Sequence, residues 1–450
     1  MQEKILELLK NRKYTELKAL LSELYPYDIV ENLEDIPKNE LLLIFRILPK
    51  ELAAETFVEM DSDMQMDLIT AFSDKEIHDI LNELFVDDAV DIIEEMPASV
   101  AKRILRQADT KTRREINQLL AYPEDSAGTI MTTEYVDLKK DMTVAEAFER
   151  IRKIGLDKET IYTAYVTDRR RKLLGVVSAK DLLLSSADQT IQDIMDENII
   201  FAHTADDKES VVQLFDKYDM LALPVVDAEN RLIGIVTVDD VIDVIQEEAT
   251  EDIEKMAAIL PTDKTYLKTG VFETFKTRIP WLLILMLTAT FTGWIINAFE
   301  NALAVQSALI AFIPMIMNTG GNSGSQSSVS VIRSLSLGDI EFKDSLIVFF
   351  KEFRVSIICG AVLAVANFAK IILLDNAIMN SGISYEVAFV VSLTLLATVI
   401  FAKVVGCLLP IGAKKIGLDP TVMASPFITT LVDTVSLVIY FAIATTLLSI

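Results

Sequence analysis

The sequence predicts a multidomain membrane protein with four parts: an acidic α-helical superhelical N-domain, an α+β tandem repeat, a long connecting helix, and an all-α transmembrane domain of five helices. Three observations support this prediction: an uneven charge distribution, an internal duplication, and apolar runs long enough to cross a bilayer. Of the formal net charge of −25, only −1 falls in residues 281–450, where nine Asp/Glu meet eight Lys/Arg. Residues 1–280 therefore form the acidic, soluble part.

The composition argues against several classes of function. An acidic soluble part is unsuited to nucleic acid, which is bound by clustered Lys and Arg. Cys359 and Cys407 lie in apolar runs, so buried thiols are favoured over a disulfide or a thiolate metal site. His78 and His203 are far apart, and no histidine-based zinc site is expected. The N-terminus has no signal-peptide core, so we expect the acidic part to stay in the cytosol.

Residues 1–128 are predicted to form the N-domain. Short stretches with apolar residues at i, i+3 and i+4 recur roughly every 11–13 residues, separated by Pro or Asp. Helices this short bury their apolar faces only against neighbours, which is typical of a superhelix.

The duplication pairs AYVTDRRRKLLGVVSAKDL with LPVVDAENRLIGIVTVDDV. Each copy reads as strand, polar turn, strand, and then a Ser/Thr-x-x-Asp sequence that opens a helix. Over residues 129–246 this order resembles a tandem pair of cystathionine-β-synthase (CBS) domains. The resemblance implies that ATP or another adenine nucleotide can bind at Ser178, Asp181, Thr237 and Asp240. Plain helix capping by these residues is the alternative.

Residues 247–280 are predicted to form the connecting, or plug, helix and a linker. Acidic residues spaced by three or four, which place carboxylates in one or two adjacent stripes, continue into it from the second repeat: Asp240, Asp243, Glu247, Glu248, Glu251 and Asp252. Solvent screens such a stripe on an exposed face. Against another domain, repulsion between like charges would require a cation.

Residues 281–450 are predicted to cross the membrane five times, at about 281–299, 305–332, 346–374, 385–411 and 421–449. The Lys/Arg clusters fall on the side of the acidic part, as the positive-inside rule expects, so the C-terminus is predicted to lie outside. Lys370 is the exception, and snorkelling of its side chain is the expected explanation.

Polar residues inside these spans indicate a pathway. The second span contains the run TGGNSGSQSS, which requires internal partners or a water-filled cavity, although tight packing of small residues also explains part of it. The fifth span contains Asp433, about 14 residues and roughly 20 Å beyond Asp419. A carboxylate there is costly unless it meets water, a cation or a partner.

The fifth span offers only hard oxygen donors. Ser425, Thr429 and Asp433 share one helical face, and Pro426 is expected to free a backbone carbonyl between them. Hard donors without imidazole or thiolate suit Mg²⁺ or Ca²⁺. Because one carboxylate does not neutralise a divalent ion and two do, a dimer with two-fold symmetry is the simplest hypothesis.

The whole chain resembles the MgtE family of magnesium channels. The motifs that carry the resemblance are YPEDSAGTIMT, GIVTVDDVIDV, EEATEDI, TGGNSGSQS and the DP…SPF…TLVD stretch. It implies a homodimeric Mg²⁺ importer of the plasma membrane, with Asp433 as pore ligand, Ser425 and Thr429 lining the pore, and Asp419 at the cytosolic mouth. Ser425 departs from the family, in which Asn can occupy that position, so only its carbonyl carries over.

The resemblance also implies closure of the pore by intracellular Mg²⁺ bound between the cytosolic domains. The matching regulatory positions are Glu55, Asp87 and Asp91 in the N-domain, Asp207, Glu209 and Asp219 in the CBS pair, and Asp240, Asp243, Glu248, Glu251 and Asp252 along the connecting helix.

Three alternatives remain open at this point. The pore could carry another divalent cation, such as Co²⁺ or Ca²⁺. The chain could be a CBS-regulated membrane enzyme, although the sequence has no Walker motif and its membrane part no nucleophile–base pair. It could also sense Mg²⁺ without transporting it, although a sensor has no need for a polar face inside the membrane.

Overall fold

The computed structural model of the protein describes residues 1–33, 36–262, 266–267, 269–378, 380–423 and 425–449. The chain divides into two compact units, Met1–Ile245 and Gln246–Ile450. The first unit contains the N-domain and the tandem repeat, and the second contains the membrane helices.

Short helices of eight to ten residues form the N-domain, and most of them begin at regular intervals along the sequence. The helices are α1 (Gln2–Lys10), α2 (Tyr14–Leu21), α3 (Pro26–Leu33), α4 (Lys38–Ile47), α5 (Lys50–Val58), α6 (Ser62–Ala71), α7 (Asp74–Leu81), α8 (Val86–Glu95), α9 (Ala98–Gln107) and α10 (Thr110–Leu119). The N-cap residues of α4 to α10 are spaced 12 residues apart, from Pro37 to Asp109. Alternate helices pack together, which confirms the predicted superhelix.

Ion pairs join alternate helices of this superhelix, between residues that are 29 positions apart. Lys50 in α5 pairs with Asp79 in α7 at 3.1 Å, and Asp74 in α7 pairs with Arg103 in α9 at 3.1 Å. Arg103 also donates to the carbonyl of Phe72 at 2.6 Å. Exposed pairs contribute little free energy, so the buried leucine and isoleucine side chains supply most of the stability.

The tandem repeat folds as two copies of one α+β unit, as the duplication predicts. The first copy contains β1 (Val136–Leu138), α11 (Val144–Ile154), β2 (Thr163–Thr167), β3 (Leu173–Ser178) and α12 (Ala179–Leu184), and α13 (Ile191–Ile194) follows. The second contains β4 (Ala202–His203), α14 (Lys208–Tyr218), β5 (Ala222–Val226), β6 (Leu232–Thr237) and α15 (Val238–Met256). In each sheet the first strand runs parallel to the second, and the second antiparallel to the third.

Each copy also contributes a segment to the other copy's sheet. Thr132, ahead of β1, pairs with Ile235 in β6, and Asp196, ahead of β4, pairs with Val176 in β3. A Cβ atom on Gly234 would lie 2.5 Å from the carbonyl oxygen of Thr132, so only glycine admits this segment. The exchange fixes β6, and therefore the start of α15.

Long helices form the membrane unit. They are α16 (Val271–Ala298), α18 (Ile313–Ser336), α19 (Ser345–Lys370), α20 (Tyr385–Lys415) and α21 (Ser425–Leu448), with the short α17 (Glu300–Val305) after α16. Within the described residues, four segments are long and apolar enough to cross a membrane: Val271–Ala298, Phe342–Asn376, Tyr385–Lys415 and Pro426–Leu448. Helix α18 corresponds to the predicted second span and is as long as α21. Its polar run makes it less apolar than these four segments, so it is not one of them.

Helix α20 is the packing centre of this unit, with α18, α19 and α21 against it. Its closest crossing is with α18, where a Cβ atom on Gly406 would lie 2.3 Å from the carbonyl oxygen of Gly324. Small residues on facing helices allow backbones to approach closely in a membrane. The glycines in the TGGNSGSQSS run therefore serve packing, as part of the sequence interpretation expected.

Lys370 and Lys403, which lie in the membrane helices α19 and α20, each have an acidic partner. Lys370 lies 2.9 Å from Asp375 in the π-helical turn Ile371–Asn376, so an ion pair accompanies this exception to the positive-inside rule. Lys403 in α20 is 6% exposed and lies 4.0 Å from Glu352 in α19. Ser327 in α18 donates to Glu352 at 2.6 Å and accepts from Lys403 at 3.3 Å. The sequence interpretation missed this network, which ties three helices together.

The glycine crossing predicts a position-specific effect on stability. Gly406→Ala should force α18 and α20 apart and cost about 1–3 kcal/mol, the usual effect of overpacking. Thermal unfolding of the purified full-length protein in detergent measures this loss.

Gly412→Ala is the matched control, because a Cβ atom at Gly412 in the same helix meets nothing within 4 Å. Alanine favours a helix over glycine, so this variant should equal or exceed the wild type in stability. Equal unfolding temperatures for the two variants would contradict the close crossing.

Candidate cation sites

A cluster of carboxylates lies in the first unit where helix starts from the N-domain and the second repeat approach the first repeat. We call it the acidic junction, and it consists of Asp87 and Asp88 in the first turn of α8, Asp239 and Asp240 in the first turn of α15, and Glu134 and Glu159 in the first repeat. Helix N-termini favour anionic side chains, which explains why Asp87 and Asp88 begin α8 and why Asp239 and Asp240 begin α15. Their mutual approach is not explained by local structure.

Asp87 is the most constrained member of the acidic junction. It is 8% exposed, and among the described residues its buried Oδ1 atom has no hydrogen-bond partner. A buried carboxylate without a partner is costly, and it must be protonated or meet a cation.

The junction disfavours ionisation of its own carboxyl groups. Burial, followed by the charge of Asp240, raises the pKa of Asp88 to about 6. Burial, followed by Asp239 and Asp240, raises the pKa of Glu159 to about 7. Burial also raises the pKa of Asp240 to about 6, against a hydrogen bond from Thr237 that lowers it. The pKa of Asp87 is raised well above its ordinary range, first by burial.

A cavity of about 1610 Å³ adjoins the junction within the first unit. Carboxylates from both the N-domain and the repeats line it, among them Glu55, Glu59, Asp88, Glu134, Glu159 and Asp239. They outnumber the basic lining residues Lys111, Arg150, Lys158 and Arg171. Burial, followed by the charge of Asp243, raises the pKa of Glu59. The predicted residues Glu55, Asp87, Asp240 and Asp243 therefore fall in or beside one acidic region.

Other predicted regulatory residues lie elsewhere. Asp207 caps the start of α14 and accepts from the backbone of Glu209 at 2.8 Å, whereas Asp219 ends that helix with φ +50°. The 11-residue helix between these two separates them by about 18 Å, so they do not share one ion within a chain. Asp91 is exposed on α8. In the described part of the chain, no three Asp, Glu, His or Cys side chains converge closely enough to enclose a metal ion.

The residues proposed for a nucleotide make helix caps. The Ser178 hydroxyl donates to Asp181 Oδ2 at 2.5 Å and accepts from the Asp181 backbone at 3.1 Å. The Thr237 hydroxyl donates to Asp240 Oδ2 at 2.7 Å. The capping alternative is therefore present in both repeats.

In the second unit, the end of α15 meets the loop before α21. Burial, followed by the charges of Asp419 and Glu248, raises the pKa of the half-buried Asp252. Burial would also raise the pKa of Asp419, but hydrogen bonds from Lys255 and Thr421 lower it overall. The predicted stripe on α15 thus brings carboxylates to the predicted mouth residue.

The prediction for Pro426 was wrong. Pro426 is the second residue of α21, where the missing N–H has no helical partner in any case, so no carbonyl is freed within the span. The segment Pro420–Met423 forms a separate 3₁₀ turn, and Asp419 caps it by accepting from the Thr421 backbone at 2.8 Å. Ser425 begins α21, but its side chain lies outside the described part of the structure.

Asp433 lies eight residues into α21, about 12 Å from the start of the helix. Its Oδ1 atom is buried and has no hydrogen-bond partner among the described residues. One turn earlier, the Thr429 hydroxyl lies 3.4 Å from the Ser325 hydroxyl of α18. A Cβ atom on Gly321 would lie 2.8 Å from the Thr429 side chain, so the glycine run brings α21 against α18.

One side of α18 carries the rest of the polar run. Asn322, Gln326, Val329 and Ser330 are exposed there, and together with Ser325 they line an open groove along the helix. Asn322 also donates to Asn318 at 3.2 Å. The contact between the Ser325 and Thr429 hydroxyls joins this side of α18 to α21, one turn before Asp433.

The sequence interpretation missed several participants. Asp88 and Asp239 each precede or follow a predicted acid, and only helix rotation decides which one enters the junction. Glu134 and Glu159 belong to loops without a motif, so no local signal could have found them. Lys255 lies four residues after Glu251 on the same helix, a spacing that could have indicated an ion pair.

The chain matches known families along most of its length. Residues 313–443 match the MgtE divalent cation transporter, residues 24–125 match the MgtE intracellular N domain, and residues 127–188 and 191–247 each match the CBS domain.

Curated relatives match over nearly their whole length. The chain is 35% identical to the magnesium transporter MgtE of Thermus thermophilus, over 96% of this chain and 95% of that protein. It is 34% identical to the magnesium transporter MgtE of Bacillus subtilis, over 98% of this chain and 96% of that protein.

Two solved structures each match about half of the chain. One is the cytosolic domain of the Mg²⁺ channel MgtE in complex with ATP, at 34% identity and a TM-score of 0.52, covering 54% of this chain and 100% of that one. The other is the soluble part of a magnesium transporter, at 34% identity and a TM-score of 0.53, covering 55% of this chain and 98% of that one.

The acidic junction predicts a pH-dependent stability in magnesium-free protein. Because the pKa values of Asp88 and Asp240 are raised to about 6 and that of Glu159 to about 7, the protonated forms stabilise the folded unit. That contribution is complete below about pH 4 and is lost as the pH rises through about 6 to 7. Hydrogen exchange of α8 in the full-length protein, corrected for the intrinsic rate, should therefore be faster near pH 8 than near pH 5.

Glu159→Gln should weaken this pH dependence, whereas Glu149→Gln, at an exposed position in the same repeat, should leave it unchanged. Added Mg²⁺ should slow the exchange near pH 8. Exchange that is independent of pH in wild type would contradict the electrostatic description of the junction.

Proposed function

This chain belongs to the family of MgtE magnesium transporters, and we propose that it works as a homodimeric Mg²⁺ channel of the plasma membrane, closed by Mg²⁺ bound to its cytosolic acidic segments. The observation that carries the pore is Asp433, whose buried Oδ1 has no hydrogen-bond partner among the described residues. A transported cation supplies the missing partner.

A symmetric pair of chains completes the pore in this proposal. Two Asp433 carboxylates neutralise one divalent ion, whereas one leaves a net positive charge inside the membrane. Mg²⁺ loses its hydration water reluctantly and needs few direct protein ligands. The hydroxyls of Thr429 and Ser325 and the amide of Asn322 are suited to hydrogen-bond the remaining water.

The proposed topology has five spans, with α18 as the polar one. Helix α18 packs against α20 and α21 through its small residues, whereas Asn318, Asn322 and Gln326 are exposed on the single chain. In the proposed dimer this polar face lies against the pore water and the second chain, so it needs no contact with lipid. With residues 1–280 in the cytosol, an odd number of spans places the C-terminus outside. The Lys370–Asp375 pair then lies at the outer end, where the basic charge is balanced.

Gating follows from repulsion between carboxylates in this proposal. Mg²⁺ at the acidic junction would hold α8 and the start of α15 together, and Mg²⁺ near Asp252 would stabilise the other end of α15 beside Asp419. Without Mg²⁺, like charges in partly buried positions push these elements apart. A bound ion thus biases a two-state element towards closure.

The regulatory set in this proposal keeps Glu55, Asp87, Asp240, Asp243, Glu248, Glu251 and Asp252, and adds Asp88 and Glu159. Asp91, Asp207, Glu209 and Asp219 stay candidates for separate, weaker ions. The CBS pair is a candidate site for ATP or another adenine nucleotide, supported by the solved cytosolic domain of a relative in complex with ATP. A bound nucleotide would contact Asp181 and Asp240, which also accept hydrogen bonds from the hydroxyls of Ser178 and Thr237.

Asp433→Asn tests the transport function. The amide keeps the size of the carboxylate but carries no charge, so Mg²⁺ flux into proteoliposomes should fall at least about tenfold. Flux is followed with a Mg²⁺-sensitive dye, and excess Co²⁺ or Ca²⁺ added outside reports whether another divalent ion uses the same pore.

Glu386→Gln is the control, because Glu386 is an exposed carboxylate at the start of α20 and should not alter flux. Correctly inserted Asp433→Asn protein with wild-type flux would overturn the pore assignment. Absence of flux in the wild type would instead favour a sensor that does not transport.

A further inference from the structure

Lys255 joins the last turn of α15 to the loop that precedes α21. Its Nζ atom lies 2.5 Å from Glu251 Oε1 and 2.8 Å from Asp419 Oδ2. The side chains of Lys255 and Asp419 are 26% and 35% exposed, so both are largely withdrawn from water. The two hydrogen bonds outweigh burial and raise the pKa of Lys255, which keeps its ammonium charged.

Local helix chemistry explains the contact of Lys255 with Glu251 but not its contact with Asp419. A Lys in the last turn interacts favourably with the helix dipole, and Glu251 lies one turn before Lys255. Neither effect requires Asp419, which is far along the chain. The contact with Asp419 therefore needs an explanation beyond the stability of α15.

Asp419 has both carboxylate oxygens engaged in this arrangement. Oδ1 accepts from the backbone and hydroxyl of Thr421 at 2.8 and 2.6 Å, and Oδ2 accepts from Lys255. A metal ion that uses Oδ2 must first displace the ammonium group. Lys255 and an entering cation are therefore alternatives at one oxygen atom.

The segment after α15 fixes the position of Lys255. Ala258 has φ +56°, and the backbone N–H of Ile259 returns to the carbonyl of Glu254 at 2.9 Å. The N–H of Leu260 then donates to the carbonyl of Thr277 in α16 at 3.0 Å. These backbone hydrogen bonds join the end of α15 to α16, so the backbone that carries Lys255 is held in place.

We propose that Lys255 is a built-in cation that holds the end of α15 against Asp419 and must leave this carboxylate before a metal ion can use it. This inference rests on the proposed function, in which Asp419 lies at the cytosolic mouth of the pore. Lys255 supplies one positive charge among the carboxylates of Glu248, Glu251, Asp252 and Asp419, and Mg²⁺ supplies the rest. The closed arrangement therefore keeps part of its stability without Mg²⁺.

The test is limited proteolysis of the segment 240–280 in the full-length protein, with Mg²⁺ removed by chelator and then titrated. In chelator, Lys255→Met should be cleaved about twofold to fivefold faster than wild type, the range for an ion pair of intermediate exposure. The difference in cleavage rate should shrink at saturating Mg²⁺, because the metal ion then supplies the positive charge that the variant lacks. Lys255→Arg, which keeps the charge, should stay close to wild type.

Lys343→Met is the matched control, because it removes an exposed Lys of the same unit that pairs locally with Glu341. It should not change either measurement. A double-mutant cycle isolates the interaction between Lys255 and Asp419. In an Asp419→Asn background, Lys255→Met should increase the cleavage rate much less than it does in the wild-type background.

Equal cleavage of Lys255→Met and wild type in chelator, or fully additive effects with Asp419→Asn, would overturn the role of Lys255. This result is distinguishable from failure of the proposed gating. If Mg²⁺ does not protect wild type at all, the gating proposal fails, while the comparison in chelator still decides for or against Lys255.

Discussion

Repulsion between carboxylates that are partly removed from water is the constraint on which both units depend. In the first unit it concentrates at the acidic junction, where Asp87 is buried and the pKa values of Asp88 and Glu159 are raised. In the second unit it concentrates where Asp252 approaches Asp419. Such groups are tolerated only with a proton, an ammonium or a metal ion nearby, so each unit is sensitive to the cations around it.

The membrane helices also hold a carboxylate away from water, that of Asp433, and close helix packing determines its position. Gly321, Gly324 and Gly406 remove side-chain bulk, so that α18 lies closely against α20 and α21. This packing fixes the face that carries Thr429 and Asp433 against α18, where the Thr429 and Ser325 hydroxyls meet. In the proposed function, these small-residue contacts hold a costly carboxylate in place for a hydrated cation.

Local patterns were sufficient for the elements and the order of the domains. Pro and Asp between the apolar stretches predicted the breaks between the N-domain helices, and the duplicated Ser/Thr-x-x-Asp sequence predicted the two repeats. Contacts between distant segments were not predictable in this way: Glu159 meets Asp88 and Asp240 only because the superhelix and the first repeat fold together. Pro426 was misread because a proline in the first turn and one inside a helix have the same sequence signature.

The most direct test of the central claim is single-channel recording from inside-out membrane patches containing the full-length protein. Mg²⁺ on the cytosolic face is raised from chelator-buffered to millimolar levels while a constant voltage is applied. If carboxylate repulsion opens the pore, open probability falls steeply, because bound Mg²⁺ removes the repulsion that favours the open arrangement. An open probability that stays constant over this range would contradict this mechanism.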